Sequence, residues 1–198
     1  MSDNLPRKQS ALRTALAGLI GNVLEWFDFA VYGYFASNIG HQFFPEADEA
    51  VQAFLTFATF AAGFFARPFG SIVLGRVGDR IGRRALLTLS IALMGGATLV
   101  LGCLPTYNQV GILAPILLML MRILQGISLG GELTGSMVYT TEASSPLLRG
   151  LVSSSTAAGT TLGFILGSGT AYLINHTLPA ADVDAWGWRL PFIGSILF

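Results

Sequence analysis

Charged residues and cysteine are both scarce in this sequence. Only 11% of its 198 residues are charged and 53% are hydrophobic, whereas a soluble globular domain carries about 25% charged residues. The deficit extends over the whole length, which excludes a soluble protein with one anchor and predicts an integral membrane protein. The single cysteine, Cys103, excludes a disulfide framework and a cysteine-based metal site. The net charge of zero gives no sign of a nucleic-acid partner.

The apolar stretches are arranged as a series of membrane helices, which predicts an all-α fold. A spanning helix needs about 20 largely apolar residues. Residues 1–14 are polar, and the first apolar run lacks a small-residue cleavage signal, so we expect its helix to be retained. The sixth run opens at Leu190 and reaches at most ~14 Å of helix by Phe198. We therefore expect residues 15–198 to form a bundle with a truncated sixth helix, in a fragment or a shortened product. The predicted spans are residues 15–38, 51–74, 85–104, 111–141, 150–174 and 190–198.

Basic residues are distributed unevenly between the two sides of this predicted bundle. Eight lie in segments that would share one side, and only Arg189 lies on the other. The positive-inside rule therefore places the N-terminus in the cytoplasm. Tyr107, Trp186 and Trp188 are then expected at the opposite membrane interface, where amphipathic rings are enriched. The eight basic residues are Arg7, Lys8, Arg13, Arg76, Arg80, Arg83, Arg84 and Arg149.

The segment between the second and third spans is rich in glycine and arginine. Its charge excludes it from the hydrocarbon, so we expect a cytoplasmic loop in which the glycines permit a tight turn. Asp79, flanked by arginines, can accept charge-assisted hydrogen bonds. The plainer alternative is an ordinary basic stop-transfer loop. The residues assigned to a gating role are Gly75, Asp79, Arg80, Gly82, Arg83 and Arg84.

The first span carries a polar face in an otherwise apolar helix. Asn22, Glu25, Asp28 and Tyr32 are three, three and four residues apart, which places them on one side of a helix. Ionisable groups within a membrane are costly, and by default they mark functional sites. Because two carboxylates on one face repel each other, one of them is a candidate to exchange a proton. The alternative is that either acid pairs with an arginine from another helix.

The fourth span repeats this pattern with both signs of charge. Arg122, Gln125 and Glu132 fall within about 80° on a helical wheel. Arg122 can bind a substrate carboxylate through two hydrogen bonds, or it can pair with the acids of the first span. The alternative is a purely structural buried ion pair. In the second span, Arg67 is expected to extend toward the cytoplasmic interface rather than to contact substrate.

Small residues predict close helix packing in the fifth span. Gly159, Gly163 and Gly167 recur every four residues, and such a face lets two membrane helices approach closely. The two histidines, His41 and His176, lie in predicted loops without a set of metal-ligating neighbours. We therefore expect neither a metal nor another cofactor. We also find no paired nucleophile and base, so an enzyme is not predicted.

Several of these motifs resemble one transporter superfamily. The glycine–arginine segment Gly75–Arg84 is similar to the signature loop between helices 2 and 3 of the major facilitator superfamily. Further motifs resemble its metabolite:proton symporter family and follow in the expected order. They are Gly21-Asn22-x-x-Glu25-Trp26-Phe27-Asp28, Arg67-Pro68-x-Gly70, Gln125-Gly126-x-Ser128-x-Gly130-Gly131-Glu132, Arg149-Gly150 and Trp186-Gly187-Trp188-Arg189.

This resemblance implies an architecture, a mechanism and partners. The family fold has twelve helices in two halves around a central cavity, each half built of two inverted three-helix repeats. The chain would be the N-terminal half, and the C-terminal six-helix half would be its missing partner. Members carry solutes such as citrate, 2-oxoglutarate, shikimate, proline or betaine, and their loop aspartate and arginines latch one half to the other. We expect a multi-pass protein of a bacterial inner membrane that is monomeric when full length.

The predicted function is therefore proton-coupled symport of a small organic solute by alternating access. Protonation of Glu25, Asp28 or Glu132 would neutralise the site and permit reorientation with the solute bound. The solute would be an organic acid or an osmolyte similar to proline or betaine. The alternative is a truncated membrane remnant or scaffold that does not transport.

Overall fold

The computed structural model describes the backbone of residues 8–142 and 149–195, and the side chains of residues 19–82, 85–130 and 158–195. Within these ranges the chain is helical and contains no β-strand, so the predicted all-α fold is confirmed. The helices are α1 (Lys8–Tyr34), α2 (Ala36–Phe43), α3 (Glu49–Ile81), α4 (Arg83–Gly102), α5 (Tyr107–Val110), α6 (Leu113–Glu142), α7 (Arg149–Thr177), α8 (Ala180–Ala185) and α9 (Leu190–Gly194). A 3-10 turn, Gly187–Arg189, precedes α9.

The glycine–arginine segment is helical rather than a loop, which corrects the sequence-based expectation. Helix α3 continues to Ile81, so Gly75, Asp79 and Arg80 lie on its last turns. The break occurs at Gly82 alone, whose φ of 87° lies in the left-handed region that favours glycine. A helix of 33 residues is about 50 Å long. It can therefore cross about 30 Å of hydrocarbon and still carry its charged end into water.

Two pairs of helices form the bundle through glycine contacts. Helix α3 packs most extensively on α6, and α1 packs on α7. A Cβ atom added to Gly126 would overlap the carbonyl oxygen of Gly63, and one added to Gly130 would overlap that of Arg67. In the other pair, a Cβ atom at Gly163 would lie 2.6 Å from a backbone oxygen of α1. Small residues therefore permit backbone contact in both pairs.

Gly159 and Gly167 extend the α7 contact with α1 on either side of Gly163. A Cβ atom at Gly159 would approach the side chain of Asn22 at 3.0 Å, and one at Gly167 would approach Ala30 at 2.7 Å. The four-residue spacing seen in the sequence thus corresponds to one helix face.

A hydrophobic core fills the end of the bundle opposite to Gly82. It includes Phe35, Phe43 and Trp188, each fully buried. The ring of Trp188 is therefore enclosed by the protein and not available to a membrane interface, whereas Trp186 is exposed. Arg189 holds this end together, because its Nη1 donates to the carbonyl oxygens of Gly102 and Leu104, where α4 ends, at 2.9 and 2.6 Å. We call this end the acidic end and the end near Gly82 the basic end. The acidic end carries Glu46, Asp48, Glu49, Asp182 and Asp184, and the basic end carries Arg76, Arg80, Arg83 and Arg84.

Three helices are long and apolar enough to cross a membrane by length and composition. Within the described residues these are Glu49–Ile81, Ala85–Gly102 and Leu113–Gly130. Large apolar side chains also cover the outside of α3, where Phe54, Phe65 and Phe69 are 71, 77 and 68% exposed. Such a surface fits contact with hydrocarbon or with another apolar surface.

Candidate functional site

A buried ion pair joins α1 to α6 in the interior of the bundle. Arg122 Nη1 donates a hydrogen bond to Asp28 Oδ2 at 2.5 Å. Their side chains are 2 and 1% exposed, so water does not screen this pair. The pair thus connects the polar face of the first span with that of the fourth. This arrangement matches the alternative in which a first-span acid pairs with an arginine from another helix.

Asp28 also receives hydrogen bonds from a neighbouring amide, and a third helix contributes a hydroxyl. Gln125 Nε2 donates to Asp28 Oδ1 at 3.1 Å and to Thr98 Oγ1 at 2.8 Å, while Gln125 Oε1 accepts from Arg122 Nη1 at 2.8 Å. Thr98 belongs to α4, and its hydroxyl lies 3.5 Å from Asp28 Oδ1. Sequence reasoning missed this threonine because one hydroxyl in an apolar span carries no pattern. Three helices therefore meet at one carboxylate.

An aromatic face supports the guanidinium of Arg122. Its central carbon lies 3.8 Å from the centroid of the Tyr32 ring, a cation–π contact. The Tyr32 hydroxyl is fixed by α3, since it donates to the carbonyl oxygen of Thr56 at 2.9 Å and lies 2.8 Å from Thr59 Oγ1. Two donor nitrogens of Arg122, Nε and Nη2, are buried and have no hydrogen-bond partner among the described residues. Buried donors of this kind are available to an acceptor that enters the site.

A second ion pair lies one turn away, toward the basic end. Arg67 Nη2 donates to Glu25 Oε1 at 2.8 Å, and the two side chains are 19 and 11% exposed. The guanidinium is held between aromatic rings, with its carbon 4.3 Å from the Phe64 centroid and 5.3 Å from that of Phe29. Arg67 therefore turns sideways to α1 rather than along α3 to the interface, which corrects the expectation for this residue.

Asn22 does not join the carboxylates although it shares their helix face. Its Nδ2 donates to Thr160 Oγ1 of α7 at 3.1 Å, and its Oδ1 accepts from Trp26 Nε1 at 3.1 Å. The α1–α7 contact therefore uses Asn22, while Asp28 and Tyr32 face α6 and α3.

A small cavity lies between the two ion pairs. Its wall includes Arg67, Arg122, Gln125 and Phe29, and its volume is about 10 Å³. That space holds about one water molecule at most. The side chains that line this cavity therefore leave almost no free space between them.

The remaining predicted residues lie elsewhere or outside the described part. Asp79 and Arg80 are exposed at the basic end of α3, and Asp79 is about 18 Å of helix beyond Arg67. The side chains of Glu132, Arg83 and Arg84 fall outside the described residues, although their helices are described. Of the predicted cavity residues, the structure brings together Asp28, Tyr32, Arg122 and Gln125, with Glu25 in the neighbouring pair.

Sequence comparison finds bacterial relatives described as proline/betaine transporters. Residues 14–198 match the family model described as "Sugar (and other) transporter". A putative proline/betaine transporter of Staphylococcus haemolyticus is 45% identical over 191 residues, which are 96% of this chain and 41% of that protein. The proline/betaine transporter of Escherichia coli K12 is 42% identical over 182 residues, which are 91% of this chain and 36% of that protein. The chain thus spans about two fifths of the length of these curated relatives.

Comparison with solved structures finds the same architecture. The proton:xylose symporter XylE of the major facilitator superfamily, bound to 6-bromo-6-deoxy-D-glucose, superposes with a TM-score of 0.80. That match has 20% identity and covers 94% of this chain and 43% of XylE. The partially occluded inward-open conformation of XylE from E. coli gives a TM-score of 0.82 at 20% identity, over 94% of this chain and 45% of that one.

Proposed function

Because the chain belongs to the sugar (and other) transporter family of the major facilitator superfamily, we propose that its gene product is a proton-coupled symporter of a small carboxylate-bearing solute. Relatives described as proline/betaine transporters favour proline or a betaine over a simple organic acid. The family consists of transporters, and membrane transport rather than catalysis is its activity. The solute, the coupling ion and the membrane orientation are parts of this proposal.

The buried Asp28–Arg122 pair is the observation that carries it. Replacing a buried ion pair with apolar residues of similar volume is often neutral or stabilising, so such a pair is weak evidence for stability. Ionisable groups inside a membrane protein instead mark ion and substrate pathways. This pair also connects the first and fourth spans, which correspond in the inverted repeats expected of the fold.

Proton binding at Asp28 would change what Arg122 can bind. Neutralising the carboxylate weakens its hydrogen bond with Nη1, and Nε and Nη2 already lack partners among the described residues. In a conformation in which this cavity is wider, a solute carboxylate could then accept two hydrogen bonds from the guanidinium of Arg122. The ammonium group of the same solute could face the Phe29 and Phe60 rings nearby, which attract cations. Proton and solute would therefore favour each other's binding.

The second pair and the basic end supply the conformational part of this scheme. Glu25 and Arg67 tie α1 to α3. Glu132, whose side chain falls outside the described residues, is a further proton site in this proposal. At the basic end, Asp79 and Arg80 on α3 would act as half of a cytoplasmic gate, together with Arg83 and Arg84. The excess of basic residues at that end supports a cytoplasmic N-terminus, and the bacterial origin of the relatives supports a bacterial inner membrane.

The test is solute uptake by the complete gene product in liposomes. With an imposed pH gradient, we expect radiolabelled proline or glycine betaine to accumulate. Asp28→Asn should abolish this accumulation while solute exchange without a gradient persists. Asp182→Asn, which removes an acid outside the site, is the matched control. The coupling scheme is wrong if Asp28→Asn, Glu25→Gln and Glu132→Gln all preserve gradient-driven accumulation. If the parent protein transports none of a panel of organic acids, proline and betaines, a scaffold is favoured instead.

A further inference from the structure

Helices α3 and α6 separate toward the acidic end and leave a groove between them. They touch where Gly126 meets Gly63, and beyond that contact a space of about 480 Å³ opens. We define the α3–α6 groove by the side chains of Leu55, Ala58, Ile116, Met119 and Leu120, which line it. Its volume is within the range of about 300–1,000 Å³ that ligand sites occupy.

The walls of the α3–α6 groove are suited to a hydrocarbon chain. Ile116, Met119 and Leu120 are 47, 43 and 49% exposed, so their apolar surfaces are not covered by the described residues. Thr59 contributes the hydroxyl on the α3 side of the groove. This hydroxyl is already hydrogen-bonded with the Tyr32 hydroxyl and with the carbonyl oxygen of Thr56. The groove therefore presents little polarity to a ligand along its length.

The mouth of the groove has the opposite character. Glu46 and Tyr107 line it, and the Tyr107 hydroxyl donates to Glu46 Oε1 at 3.1 Å. Glu46 forms no ion pair within the described part of the chain. The basic groups described at this end are engaged elsewhere: Arg189 with backbone carbonyl oxygens, His41 with Asp184, and His176 with the carbonyl oxygen of Tyr172. A carboxylate that has no cationic partner among the described residues thus lies at the end of an apolar groove, an arrangement that suits a cationic amphiphile.

We propose that the α3–α6 groove binds one acyl chain of a membrane phospholipid whose headgroup carries a primary ammonium. The acyl chain lies against α3 and α6, and the ammonium pairs with Glu46. Tyr107 can then donate its hydroxyl hydrogen to the headgroup phosphate. Anionic phospholipids are disfavoured, because they bring a phosphate to this carboxylate without a compensating cation. The bilayer supplies this ligand, and the site does not depend on the transport scheme.

Lipid retention by the purified complete gene product tests this proposal. The protein is incubated in mixed micelles with equal amounts of phosphatidylethanolamine and phosphatidylglycerol, and bound lipids are counted by native mass spectrometry. The parent protein should retain phosphatidylethanolamine preferentially. Glu46→Gln should lower that preference roughly two- to fivefold, as expected for a pair near the surface. Ala58→Trp, which fills the groove, should remove the bound lipid.

Glu49→Gln is the matched control, because it neutralises a nearby exposed acid that does not line the groove. It should keep the parent preference. Equal retention of both lipids by the parent protein would overturn the proposal. Unchanged preference in Glu46→Gln would overturn it as well, and this surface substitution does not threaten the fold.

Discussion

Neutralising one member of the buried pair should destabilise the protein more than neutralising both. In Asp28→Asn, the guanidinium of Arg122 keeps its charge in a place where its side chain is 2% exposed. In Arg122→Gln, the carboxylate of Asp28 keeps its charge where its side chain is 1% exposed. The double variant leaves two amides that can still bond with Gln125 and Thr98. The comparison therefore separates the cost of an unpaired charge from the value of the pair.

The magnitude follows from this burial. Removing one partner of a buried ion pair costs about 3–5 kcal/mol, because an uncompensated charge remains. We place Arg122→Gln in this range and expect Asp28→Asn to cost somewhat less, since the Tyr32 ring still faces the cation. Replacing both groups should cost at most about 1 kcal/mol, because desolvation of two charges is no longer required. Arg122→Gln should therefore be about 2–4 kcal/mol less stable than the double variant.

Reversible unfolding of the purified protein in mixed micelles measures these differences. Helix content is followed as the denaturing detergent fraction rises, and free energies of unfolding are compared at one fraction. Asp182→Asn reports the effect of neutralising an acid outside the site and should stay within about 0.5 kcal/mol of the parent. Single variants as stable as the parent would refute the reasoning, as would a double variant less stable than both.

Two further predictions concern the helix contact and the groove mouth. Gly126→Ala should destabilise the protein by about 1–3 kcal/mol, because the added methyl group overlaps Gly63. Gly169→Ala is the control and should not destabilise it, because the space around Gly169 is open. The same detergent titration measures both variants, and equal stability of the two would contradict the described helix packing. The hydrogen bond to Glu46 raises the pKa of Tyr107 above its ordinary 10.0. The contribution of this hydrogen bond to the free energy of unfolding is therefore complete below pH 10. It is lost as pH rises through the higher pKa of the folded state. Glu46→Gln should lower the pKa, and an unchanged tyrosinate absorbance titration, with Tyr107→Phe as the reference, would contradict this.

The sequence was sufficient to predict that the charges of α1 and α6 lie inside the bundle. Few charges remain once the loops are removed, and the spacing of Glu25 and Asp28 places both on one face. Which arginine pairs with which acid depends on the relative height of three helices. Glu25 and Asp28 are only three residues apart, about 4.5 Å along α1, so a shift of α1 by about one turn would change which carboxylate lies beside which arginine. No local pattern in the sequence specifies that height.

Other differences have a similar physical origin. The length of α3 could not be predicted from hydropathy, because a charged segment remains helical once it has left the hydrocarbon. Tryptophan is a residue type typical of membrane interfaces, yet Trp188 is fully buried beside Phe43 and Phe192. Its burial depends on how α2 and the residues before α9 meet, which is a long-range contact. Thr98 shows the same limit, since its role arises only where α4 approaches Asp28.

The length of α3 and the place where it touches α6 have a geometric consequence. From the contact at Gly63, the helix extends about 21 Å to Glu49 and about 27 Å to Ile81. Tilting a straight helix by about 10° around that point would move these ends by about 4 and 5 Å, in opposite directions. A rotation that widens the bundle at one membrane surface would therefore narrow it at the other. Openings of the bundle at the two membrane surfaces would then be mutually exclusive, although the internal structure of α3 does not change.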